Sequence, residues 1–199
     1  MNLRPAPVGP VRSLAGSWQV AKADRDKAVE QLRAAFKQAD DKQDQRDRKM
    51  GYARWGGGPP PAESDGAPGG TAPLRPTREN WEVRERREQE QGLINFALPP
   101  DSFKLAQSPT LIEIVPAAGA RRSFVPGESS TLVTTFGSFR MESGWQNDEF
   151  VVHSRDTQEG INLIERYRRE ADGSLSVAVA FMTAEVKEQT IKLIYTSQH

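Results

Sequence analysis

From about residue 108 onward the chain alternates apolar and polar positions with a period of two, the pattern of strands that cover one face and solvate the other. The alternation predicts strands over 110–115, 121–125, 130–136, 138–145, 149–154, 161–169, 174–183 and 189–196. The clearest pair is 161–169 with 174–181, separated by Ala171-Asp172-Gly173. An Asp-Gly pair between two alternating runs predicts a hairpin with a tight primed turn, because glycine enters positive φ without steric cost. No helical segment lies between these strands, which excludes β-α-β crossovers and predicts an antiparallel, sequential meander.

Near the other end, 14–21 also reads as a strand, with Trp18 and Val20 on one face and Gln19 on the other. It brings the total to about eight or nine strands, enough to close an up-and-down barrel. Residues 24–49 read as a helix capped by Asp24 or Asp26. Val29, Leu32, Ala35, Phe36 and Ala39 form its apolar stripe, and beyond Ala39 every position is polar. Residues 51–76 are rich in Gly and Pro and poor in aliphatics, so they are expected to stay disordered. Residues 77–98 read as a polar helical arm. In its run Arg84–Gln91 the glutamates cancel the arginines, so a solvated face is favoured over a basic patch.

Composition narrows the function. Twenty-seven basic residues balance twenty-seven acidic ones among 199, which argues against nucleic-acid binding through bulk charge. No run approaches the roughly 20 apolar residues of a membrane span. Cysteine is absent, excluding disulfides, thiolate metal ligands and thiol nucleophiles. Mean hydropathy is −0.66, and the apolar residues concentrate after residue 110, so a single domain over 14–199 behind a disordered tail, 1–13, is expected. The first ten residues lack an apolar leader segment. The expected location is nevertheless periplasmic or secreted after removal of a leader, with a cytoplasmic start as the alternative.

Gly16-Ser17-Trp18, followed by a helix and a meander, resembles the G-x-W element of lipocalin-like proteins, and Ile191–Tyr195 is similar to their closing strand in position. The layout also resembles small exported bacterial proteins that end in an E-x-Y…D-G-x-L-x-V hairpin, here Glu165-x-Tyr167 and Asp172-Gly173-x-Leu175-x-Val177. The resemblance implies a lipocalin-like antiparallel barrel with Trp18 plugging its floor beneath a basic side chain. Lys192 is the nearest basic residue in position.

Candidate binding residues are Trp18, Tyr167, Arg166, Arg168, Phe181, Lys192 and Tyr195. Leu175, Val177, Val179 and Phe181 share a face with Ile191, Leu193 and Tyr195, and the opposite face carries Ser174, Ser176, Ala178, Ala180 and Met182. A small-residue inner face would leave room for a ligand. The favoured reading puts the large face in a dry core and the small face against the helix. Glu165, Arg166 and Arg168, with Arg155 and Asp156 ahead of them, suit either a polar mouth for an anion or ordinary cross-strand pairing, the latter favoured. His153 and Ser154 are neighbours on a strand and face opposite ways, so they are badly placed as a base and nucleophile. No cluster has metal-ligand spacing, and no cofactor is implied. The leading functional expectation is a non-enzymatic protein that holds an apolar or amphipathic small molecule. The alternative is a solid barrel whose helix and polar arm bind a partner protein.

Overall fold

The computed structural model describes residues 3–6, 12–49, 78–135, 137–156, 158 and 160–198. The Gly/Pro-rich insertion expected over 51–76 lies outside the described residues, as do 7–11 of the tail. Ten strands form one antiparallel sheet: β1 (Gly16–Val20), β2 (Ser102–Gln107), β3 (Ile112–Pro116), β4 (Arg122–Phe124), β5 (Ser129–Thr134), β6 (Gly137–Gln146), β7 (Glu149–Arg155), β8 (Asn162–Arg169), β9 (Leu175–Met182) and β10 (Gln189–Ser197). Their spatial order is β4-β3-β2-β1-β10-β9-β8-β7-β6-β5. The sheet curls into an all-β, up-and-down barrel that is nearly closed. Its two end strands, β4 and β5, are consecutive in sequence, and the link between them hydrogen-bonds to β6 through Gly127 N–H to Ser143 O (2.7 Å) and Ser143 N–H to Glu128 O (3.3 Å).

The first strand pairs with the last, Trp18 opposite Ser197 and Val20 opposite Tyr195. The tenth strand is β2, which pairs with both β1 and β3. Its alternation is carried only by Phe103 and Leu105, with Lys104 between them, too little apolar signal to read against the flanking prolines.

Two helices, α1 (Lys22–Lys49) and α2 (Arg78–Ala97), stand between β1 and β2. Of the predicted stripe on α1, Leu32 and Ala35 are buried and Val29, Phe36 and Ala39 half-buried, and Ala28, outside the stripe, is buried as well. The stretch expected to be a polar arm behaves differently at its end, where Leu93, Ile94, Ala97 and Leu98 join the core. The helices reach the large face of the strands. Phe36 meets Phe181 with ring centroids 6.0 Å apart, and Phe96 meets Phe139 at 4.5 Å. The expectation that α1 covers the Ala/Ser face of β9 is therefore corrected. The inward aromatics offer the helices more apolar area than Ala178 or Ala180 on the outer wall.

The β8–β9 turn is also looser than a primed two-residue turn. Gly173 N–H bonds Glu170 O (3.2 Å) and Glu170 N–H bonds Ser174 O (2.9 Å), closing a three-residue loop in which Gly173 has a positive φ, 87°. Asp172 accepts from Ser174 N–H (2.9 Å), which fixes the loop without requiring a positive φ at the aspartate. Gly173→Ala is expected to cost about 1 kcal/mol through the left-handed strain of an L-residue, read as a lowered urea midpoint with unchanged m-value.

Candidate functional site

Alternation along β8 points Leu163, Glu165, Tyr167 and Arg169 inward and Arg166 and Arg168 outward. Glu165 therefore enters a largely apolar barrel interior, with Val152 on β7 and Val179 on β9 as its neighbours in register. It is 1% exposed. Its partner comes from the far side of the sheet. Arg122 on β4 lies beside Ile114 in register, so it too points inward. The guanidinium grips the carboxylate with both terminal nitrogens, Nη1 to Oε1 at 3.0 Å and Nη2 to Oε2. Tyr167 donates its hydroxyl to Oε1 at 2.8 Å.

The pair spans the interior from an end strand to β8. Phe124 lies beneath the guanidinium, whose central carbon is 5.1 Å from the ring centroid. Phe150 meets Phe124, Trp145 and Tyr167 at 5.9, 5.6 and 6.3 Å. The polar cluster thus rests on an aromatic bed. Burial works against the charge on Arg122, but the Glu165 carboxylate and its hydrogen bonds outweigh this and hold the guanidinium above its ordinary range. Burial first, then the Glu165 charge, push the Tyr167 phenol well up, so it stays a neutral donor.

One atom of the cluster is left over. Arg122 Nε is shut from solvent and has no hydrogen-bond partner. A buried donor in that state costs on the order of 1–3 kcal/mol. It sits on the edge of the guanidinium away from the carboxylate, as an end-on fork requires.

The sequence-derived candidates divide between the two sides of the wall. Trp18, Tyr167, Phe181 and Tyr195 are buried. Trp18 donates Nε1–H to Leu14 O at 3.0 Å, and a Cβ on Gly16 would stand 3.1 Å from its ring, so glycine at 16 admits the indole. Tyr195 stacks edge-on with Phe103 at 5.0 Å, donates to Pro100 O at 3.0 Å, and is pushed up in pKa by burial.

Arg166, Arg168 and Lys192 lie on the outer wall. Arg166 donates to Gln146 (2.8 Å), Arg168 bonds Glu170 (3.0 Å), and Lys192 lies 3.6 Å from Glu170. The basic side chain over Trp18 is not Lys192, which is exposed and on the wrong face. It is Arg169, with its guanidinium carbon 4.4 Å from the ring centroid. Arg169 has the inward parity of Glu165 and Tyr167 and closes β8. His153 meets Asn162 rather than Ser154. Among the described residues no group of His, Asp and Glu could hold a metal ion.

No family model matches the chain, and no curated protein matches it. Solved structures do. One similar chain is the secretory abundant heat soluble protein 4 from Ramazzottius varieornatus, 15% identical over 60% of this chain and 86% of that one, with a TM-score of 0.40. A likeness of that degree carries nothing about function.

Proposed function

We propose that this protein is a non-enzymatic carrier or sequestering protein that takes an apolar or amphipathic small molecule into its barrel, with the polar end of the molecule at Arg122, Glu165 and Tyr167. The observation that carries this reading is a charged pair placed inside an apolar barrel. Such a pair contributes little net stability, because removing two charges from water offsets their attraction. Apolar side chains of similar volume would hold the fold at least as well. An orienting polar group among aromatic and aliphatic walls is, however, what a small-molecule site uses to fix one end of its ligand. Entry in this reading is between the helices and the strands, where Phe36 and Phe96 meet the inward Phe181 and Phe139.

The test uses a hydrocarbon fluorophore, diphenylhexatriene, with native mass spectrometry of the full chain. Saturable uptake at one equivalent is expected, with displacement by twelve-carbon amphiphiles. Arg166→Gln, Arg168→Gln and Lys192→Gln should leave uptake unchanged, because those side chains sit outside the wall. A chain that excludes the fluorophore and shows no adduct contradicts the reading. A second reading, in which the helical region engages a partner protein, is favoured by Trp81, which stands 62% exposed on the charged stretch of α2.

A further inference from the structure

We infer that Glu165 sets the class of ligand: the barrel accepts a neutral hydrogen-bond acceptor, an alcohol, ester or ketone oxygen on an otherwise apolar molecule, and rejects carboxylates and phosphates. This rests on the interior being the binding site. Arg122 alone would invite an anion, since a guanidinium fork matches a carboxylate. Here the fork is already filled. Nη1 and Nη2 hold both oxygens of the chain's own carboxylate, and Tyr167 donates to the same group.

The cluster is thus neutral as a unit. An entering carboxylate would meet no net attraction and would face Glu165 at close range. To take the fork it would have to expel Glu165, which is 1% exposed and has no water to turn to. Like-charge juxtaposition of this kind is a standard way to exclude a wrong partner. Arg169, the inward arginine of β8, lies over Trp18.

The partnerless group at the cluster is a donor, Arg122 Nε–H. It calls for one acceptor lone pair and no charge. The ring of Phe124 covers one face of the guanidinium, so the acceptor has to approach in the plane, along the Nε edge. A hydroxyl, ester carbonyl or ketone at the end of an apolar chain meets that requirement, and the apolar remainder matches the Phe, Val and Leu walls.

The experiment compares dodecanol and methyl dodecanoate, each below its solubility limit, with dodecanoate below its micelle concentration at pH 8, by displacement of diphenylhexatriene from the full chain. The wild type should bind the two neutral probes at least roughly tenfold more tightly than the acid, a difference of one decade in dissociation constant. Glu165→Gln keeps the shape and the acceptor for Tyr167 but leaves the guanidinium uncompensated. It should gain dodecanoate binding and reverse the order.

If that variant does not fold, the double variant Arg122→Met with Glu165→Met tests the same point. It should retain the hydrocarbon fluorophore and lose about tenfold in dodecanol affinity, because the donor is gone. Dodecanoate bound by the wild type as tightly as dodecanol overturns the inference while leaving an interior ligand site intact. Failure to take up the fluorophore at all removes the site itself.

Discussion

Glu165→Ala is expected to lower the stability of the fold by about 3–5 kcal/mol, the cost of leaving a buried charge without its partner. The Arg122 guanidinium reaches into the barrel from β4 and has its terminal nitrogens on the Glu165 carboxylate. Remove the carboxylate and the positive charge remains, in a place where only about a quarter of the side chain reaches solvent. Tyr167 loses its acceptor in the same step. The double variant Arg122→Met with Glu165→Met should be close to neutral, or more stable by about 1–4 kcal/mol, since it removes both charges and fills the space with apolar atoms. Urea denaturation reads both. A single-variant loss below about 1 kcal/mol, the range of exposed ion pairs, would mean that the pair is solvated rather than internal.

Trp18→Ala should cost a similar amount, about 3–5 kcal/mol for a large aromatic removed from a packed interior, with roughly 1 kcal/mol more for the lost bond to Leu14 O. Trp18 is 1% exposed and sits where β1 joins β2 and β10, so its loss weakens the pairing of β1 with both neighbours as well as the core. It also removes the surface on which Arg169 lies. For a domain of this size the melting temperature should fall by about 8–24 °C, at about 2–4 °C per kcal/mol. Trp81→Ala is the matched comparison. At 62% exposure it should change stability by no more than about 0.5 kcal/mol. Equal effects of the two substitutions would show that position 18 is not a core position.

The barrel was legible in the sequence because its signal is local. A period of two over β6 to β10 repeats five times in succession, with Gly, Asn or Asp in most of the gaps, and short connections permit only antiparallel neighbours. The pairing of β1 with β10 followed from closure. β2 did not stand out, having two inward residues between prolines. The end of α2 was misjudged for a related reason. Its first four turns are charged, and the burial of Leu93, Ile94 and Ala97 is settled by where the helix lands on the barrel, which the residues of α2 alone do not encode.

Among site residues, Tyr167 and Phe181 lie on one side of the wall and Arg166, Arg168 and Lys192 on the other, a division that the alternation carries although the sequence reading grouped all five as candidates. The same parity places Glu165 and Arg169 inside, a signal present in Leu163-x-Glu165-x-Tyr167-x-Arg169 and outweighed by the density of charge around it. Arg122 carried no such signal. It follows another arginine in a strand of three residues, too short to fix a phase, and its partner is 43 positions away. Contacts across a barrel are set by strand tilt and curvature, so the cluster appears only when the sheet is folded.

The most direct measurement of the central claim is the ¹⁵N-resolved signal of the Arg122 Nε–H, assigned by its loss in Arg122→Lys. Slow exchange with solvent and a saturable shift on titration with dodecanol, absent with dodecanoate, are the predicted results. A signal that exchanges as fast as those of the surface arginines and stays still through both titrations would contradict an internal, partner-seeking donor.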